Sequence, residues 1–123
     1  MSWFWVALGG AIGAAGRYGM MVAIGKLWPA ATLPYGTLTV NILGAGLMGV
    51  LIGALAHALP AHGATLRLFL AVGVLGGFTT FSTFALDVIT LLERQDLSGT
   101  ILYISCSVIG SMLALCLGLW CWR

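Results

Sequence analysis

The chain is expected to be an all-α membrane protein, a single four-helix transmembrane domain over residues 1–123, and three observations lead there. Of its 123 residues 61% are hydrophobic and 7% charged, with a mean hydropathy of +1.10, a composition that cannot clothe a water-facing globule. Four apolar stretches, at 3–24, 33–56, 66–92 and 99–120, each reach the length of about 20 residues that a helix needs to cross a bilayer. Trp3, Trp5, Trp28, Tyr35, Trp120 and Trp122 fall at the ends of those stretches, where aromatic rings favour the headgroup layer.

The first stretch has no basic leader and no small-residue cleavage pattern, and it is too long for a signal segment, so it is read as a mature span. It holds Gly9 and Gly13, a small-residue pair at the four-residue spacing that lets helices approach closely in lipid, and one charge, Arg17. Breakers from Trp28-Pro29 to Pro34 separate it from the second stretch. There Thr37 and Asn41 share a helical face, as do Ala45, Gly49 and Gly53.

A turn marked by Pro60 and Gly63 leads to the third stretch, whose 27 residues would run roughly 40 Å as one helix against a core of about 30 Å. Such a helix must tilt or break. Residues 76–84 read GGFTTFSTF, and two glycines followed by Thr79, Thr80, Ser82 and Thr83 have poor helix propensity. One reading is an unwound segment at mid-membrane whose carbonyls hold a hard monovalent cation. The other is a tilted helix whose hydroxyls bond back to their own turn. Phe81 and Phe84 lie on one face just beyond, as packing residues or as ring edges for an anion. Asp87 follows at a depth similar to that of Arg17, and intramembrane charges are paired or functional by default, so these two are expected to pair within or between subunits.

Glu93 to Ser98 supplies the last loop. The fourth stretch then carries Tyr103, Ser107 and Ser111 at steps of four. Its hydroxyl stripe serves either as glue between helices or as a track of neutral donors for a small, partly dehydrated anion.

Basic residues in short loops set membrane orientation, and here they balance: Arg67 and Arg123 on one side against Lys26 and Arg94 on the other. With so little bias, one reading is a chain that inserts either way up, which invites an antiparallel homodimer; the other is that a weak bias such as the first helix decides a single orientation. The net charge of +2 is scattered singly, with no basic patch for nucleic acid. Cys106, Cys116 and Cys121 have neither disulfide nor zinc spacing. His57 and His62 read as solvated loop residues, and no nucleophile, base or ligand cluster suggests an enzyme.

The runs GGAIGAAGRY (9–18), YGTLTVNILG (35–44) and GGFTTFSTF resemble the small fluoride channels of the Fluc or CrcB family, over the whole chain in length, span count and motif order. The resemblance implies a dual-topology homodimer in the cell inner membrane, with two separate fluoride pores and a structural sodium ion at the dimer interface. On that likeness the carbonyls of Gly76 and Thr79 would hold sodium. Phe81 and Phe84 would present ring edges to fluoride, with Asn41 at the mouth of the path. Thr37, Tyr103, Ser107 and Ser111 would form the polar track, with Thr80 and Ser82 beside it, and Arg17 would match the family's first-helix arginine. The main rival, a proton-coupled exporter of cations of the small multidrug type, needs an acid in the first span, where this chain has Arg17 and no carboxylate. A non-transporting assembly subunit would explain the hydroxyl stripes but not the paired phenylalanines beside a break.

Overall fold

The computed structural model describes residues 1–58, 61 and 63–122. Pro60 and His62 of the expected second loop, and Arg123 of the charge balance, lie outside the described residues. Among the described residues every regular element is helical: α1 (Ser2–Leu27), α2 (Tyr35–His57), α3 (Gly63–Leu66), a π-helical segment (Arg67–Leu75), α4 (Gly76–Phe78), α5 (Phe81–Glu93) and α6 (Leu97–Trp120). Elements α3 to α5 together make the third span, so four helical spans, Ser2–Leu27, Tyr35–His57, Gly63–Glu93 and Leu97–Trp120, are long and apolar enough to cross a membrane. The third is bent, as its length demanded.

Small residues decide which helices meet. α1 packs on the π segment and α4, and α2 packs on α6. In the first seam a Cβ on Gly13 would collide with the Val74 carbonyl, and one on Gly9 with the Phe69 carbonyl. In the second, a Cβ on Gly49 would strike the Leu115 carbonyl. Close backbone contact replaces the hydrophobic drive that lipid cannot supply. The seams are joined where bare Gly44 of α2 receives the Thr79 methyl and the Phe78 ring.

The turns are closed by local chemistry. Trp28 and Tyr35 meet edge to face at 6.0 Å across the α1–α2 connection. Between α5 and α6, Gln95 adopts φ 60°, a left-handed ending more usual for glycine, and Asp96 caps α6 by accepting the Gly99 N–H at 2.9 Å. Outward faces are apolar, with Ile12, Leu47, Val72, Ile109 and Leu113 all exposed, as a lipid-facing surface requires. The buried core is correspondingly small, and polar residues Thr37, Thr80, Thr100 and Ser107 are part of it.

Candidate functional site

The third span breaks at two residues, Thr79 (φ −84°, ψ 157°) and Thr80 (φ −149°, ψ 120°), both extended. Gly76 stays helical at φ −62°, ψ −37°, so within the expected stretch the unwinding begins two residues beyond the glycine pair, at Thr79. Gly77 is committed to packing, since a Cβ there would come within 2.7 Å of the Gly10 carbonyl oxygen on α1. The β-branched threonines, which accept extended backbone readily, take the break instead.

Backbone groups at such a depth need partners from protein, and the sequence supplies them. The Asn41 side-chain Oδ1 accepts the Thr80 N–H at 2.8 Å, and Asn41 Nδ2 donates to the Thr80 carbonyl at 3.0 Å. Thr80 Oγ1 in turn accepts the Thr83 N–H at 3.2 Å, capping α5, and lies 3.4 Å from Ser82 Oγ. Thr79 Oγ1 donates to the Leu75 carbonyl at 3.0 Å. The two physical readings of GGFTTFSTF therefore both hold in part: the helix is broken, and one hydroxyl bonds back to its own turn.

Beside the break lies a groove of about 410 Å³, lined by Asn41, Thr80, Phe81, Phe84, Ser107 and Ser111 together with apolar residues such as Met48 and Met112. With Thr79, which lines it too, seven of the expected site residues thus converge from α2, the break, α5 and α6. Ser107 Oγ is buried there with no hydrogen-bond partner among the described residues. Phe81 and Phe84 stand 5.6 Å apart with planes at 45°. Phe84 meets Tyr103 at 5.3 Å and 37°, so the rings form a tilted row from groove to interior. Phe81, at the outer end, is 80% exposed.

Tyr103 and Thr37 lie behind the groove, each 1% exposed. The Tyr103 hydroxyl donates to Asp87 Oδ2 at 2.9 Å. Within the chain the partner of Asp87 is therefore a phenol, not the Arg17 guanidinium expected from matched depth; the α5–α6 hairpin brings the phenol closer than any depth argument could show. Thr37 and Asp87 share a second cavity of about 230 Å³ with Trp28 and Tyr35. Tyr103, Ser107 and Ser111 then carry polar groups at one-turn intervals along α6 from Asp87 to the groove. Arg17 is half-buried on α1 and Ser82 is exposed; neither lines the groove. Sequence reasoning missed the Asn41–Thr80 clip and the Tyr103–Asp87 bond, since both join residues on different helices with no shared motif.

Among the described residues, no three His, Cys, Asp or Glu side chains come together to hold a metal. Main-chain oxygens at the break are the available donors, and with ψ 157° the Thr79 carbonyl points away from the helical direction.

Comparison with known proteins agrees with this architecture. The family model described as CrcB-like protein, Camphor Resistance (CrcB), matches residues 4–119. A protein of Chelativorans sp. (strain BNC1) named fluoride-specific ion channel FluC is 50% identical over 115 residues, which cover 94% of this chain and 90% of the relative. Proteins of the same name from Paracoccus denitrificans and Caulobacter vibrioides are 49% and 42% identical, each over 93% of this chain and 88% and 89% of their own lengths.

Proposed function

The chain belongs to the CrcB family, and from that premise we propose that it is a fluoride-selective channel of the cell inner membrane, an antiparallel homodimer with two pores that releases cytoplasmic fluoride passively. The observation that carries the reading is the Ser107 hydroxyl, buried and unpartnered in a groove lined by Phe81, Phe84, Asn41 and Ser111. A buried polar group left without a partner costs about 1–3 kcal/mol, and a transient anion that accepts its hydrogen would remove that cost at each passage.

The neutral character of the lining suits conduction. Hydroxyl and amide donors replace part of the water around a small anion, and aromatic edges carry partial positive charge. None of these groups is a full cation that would trap the ion, and conduction requires binding weak enough to leave. The hydroxyls of Ser107 and Ser111 form the donor track, with Tyr103, whose proton goes to Asp87, and Thr37 at its buried end and Thr80 and Ser82 at the break. Phe81 and Phe84 supply the edges. Selectivity against chloride follows from a narrow donor-rich path in which the smaller anion recovers its dehydration cost. An inside-negative potential drives the anion outward with about 2.3 kcal/mol per charge per 100 mV, so the export needs no pump.

The carbonyls of Gly76 and Thr79 would hold a sodium ion shared between the two subunits. Bound there, it would supply a fixed positive charge that ties the two broken helices together. Balanced loop charges support the dual topology, and the exposure of Phe81 supports a second copy over α5.

Efflux from liposomes containing only this protein tests the proposal. Fast fluoride loss, negligible chloride loss, and weakening by Phe81→Ile or Phe84→Ile are expected. Absence of fluoride flux from folded dimers would overturn it.

A further inference from the structure

In an unbroken helix the Thr80 N–H would donate to the carbonyl four residues back, that of Gly76. Here it donates to Asn41 Oδ1 at 2.8 Å instead, so the Gly76 carbonyl is relieved of its helical donor. We infer that Asn41 is the positioning residue of the cation site: by drawing off the one N–H that would occupy the Gly76 carbonyl, it frees that oxygen to face an alkali cation. The inference rests on the cation reading above and assigns its origin to a side chain on another helix.

Two features of the structure support it. Asn41 grips Thr80 on both sides, accepting its N–H and donating to its C=O at 3.0 Å. That two-bond pairing is the one a neighbouring strand makes with an extended residue. A side chain needs a donor and an acceptor side by side to do this, and the Asn amide offers them without ionising. Three residues along the same helix, Gly44 leaves room for the Thr79 methyl where any Cβ would collide with it. The face of α2 thus accommodates the extended Thr79–Thr80 at both residues.

Asn41 also lines the groove, so a role toward the permeant anion must be separated from one toward the cation. The readout is sodium-dependent thermal unfolding of the purified protein in detergent, followed beside fluoride efflux, for wild type, Asn41→Ala, Asn41→Asp and Ser111→Ala. Asn41→Ala should return the Thr80 N–H to Gly76 and raise the half-saturating sodium concentration by up to about tenfold, the loss of one hydrogen bond's worth of preference. Asn41→Asp keeps the acceptor that holds the N–H and should leave sodium affinity within about threefold of wild type or tighten it. Ser111→Ala should slow flux with sodium affinity unchanged.

Slowed flux in Asn41→Ala with an unaltered sodium midpoint would overturn the inference and make Asn41 a contact of the anion alone. Should Asn41→Ala fail to fold, a tenfold loss of sodium affinity in Asn41→Asp would overturn it equally. A wild type that conducts fluoride but gains no stability from sodium would remove the cation site while leaving the channel. Sodium stabilisation without fluoride flux would do the reverse.

Discussion

The two halves of the third span lie on either side of two extended residues and live in different surroundings. The half before the break runs along α1 on a seam of close backbone contacts at glycines, with Ala71, Gly73 and Leu75 buried. The half after it, α5, buries only Leu91 and leaves Phe81, Leu86 and Ile89 at 80%, 65% and 52% exposure. One half is anchored by its own chain. The other is presented outward, and it carries both phenylalanines and Asp87. A bent helix here separates holding from display: the anchored half fixes where the break sits, and the displayed half is left for lipid and a second copy.

The largest effect should come from filling the seam of the anchored half. Gly13→Val places methyl groups against the Val74 carbonyl, and overpacking of this kind costs about 1–3 kcal/mol or more where backbone meets backbone. Loss of monodisperse protein on size exclusion is expected, whereas Ile12→Val next door, on the exposed face, should be silent. Equal behaviour of the two would dissolve the contrast between the halves.

On the displayed half, Phe81→Ile should leave yield and thermal unfolding unchanged while lowering fluoride flux about tenfold, equivalent to roughly 1.4 kcal/mol of barrier. A fall in stability instead would make Phe81 a packing residue. The bond that ties α5 to α6 comes next. Asp87→Asn and Tyr103→Phe should each cost about 1.5–3 kcal/mol, the worth of a hydrogen bond to a charged group, and the double variant should be no worse than the poorer single one. Arg17→Gln combined with Asp87→Asn should add; non-additivity in the dimer would reveal pairing between subunits. The smallest effect belongs to Thr90→Val, whose hydroxyl donates to the Leu86 carbonyl of its own helix at 2.8 Å on an exposed face. A change within about 0.5 kcal/mol by thermal unfolding is expected.

Four helical spans and a bent third were legible because hydropathy and length are local properties of the chain. The bend was legible as far as the GGFTTFSTF stretch, but not which of its residues would unwind. Gly76 and Gly77 read as helix breakers by propensity, yet close contact with α1 uses the missing Cβ of Gly77 and holds both residues in the helix. The π-helical register of residues 67–75 left no trace in hydropathy, which counts apolar atoms and is blind to which carbonyl each N–H chooses. The hydroxyl stripe on α6 was legible from its four-residue steps. That Ser107 would be the member left without a partner, and Tyr103 the one bonded to Asp87, depended on neighbours from other helices.

The ring of two hydrogen bonds around Thr80 has a consequence for the clock of the molecule. A break in a helix suggests a loose joint, and loose joints let solvent deuterium replace amide protons quickly. Thr80 should behave the other way: its N–H is held by Asn41 at 2.8 Å, whereas the N–H groups of Phe81 and Ser82, at the first turn of α5, have no acceptor within their own helix. Exchange at Thr80 should therefore lag behind that of the two residues that follow it. Asn41→Ala should abolish that order, marking the bend as a rigid corner set by one side chain.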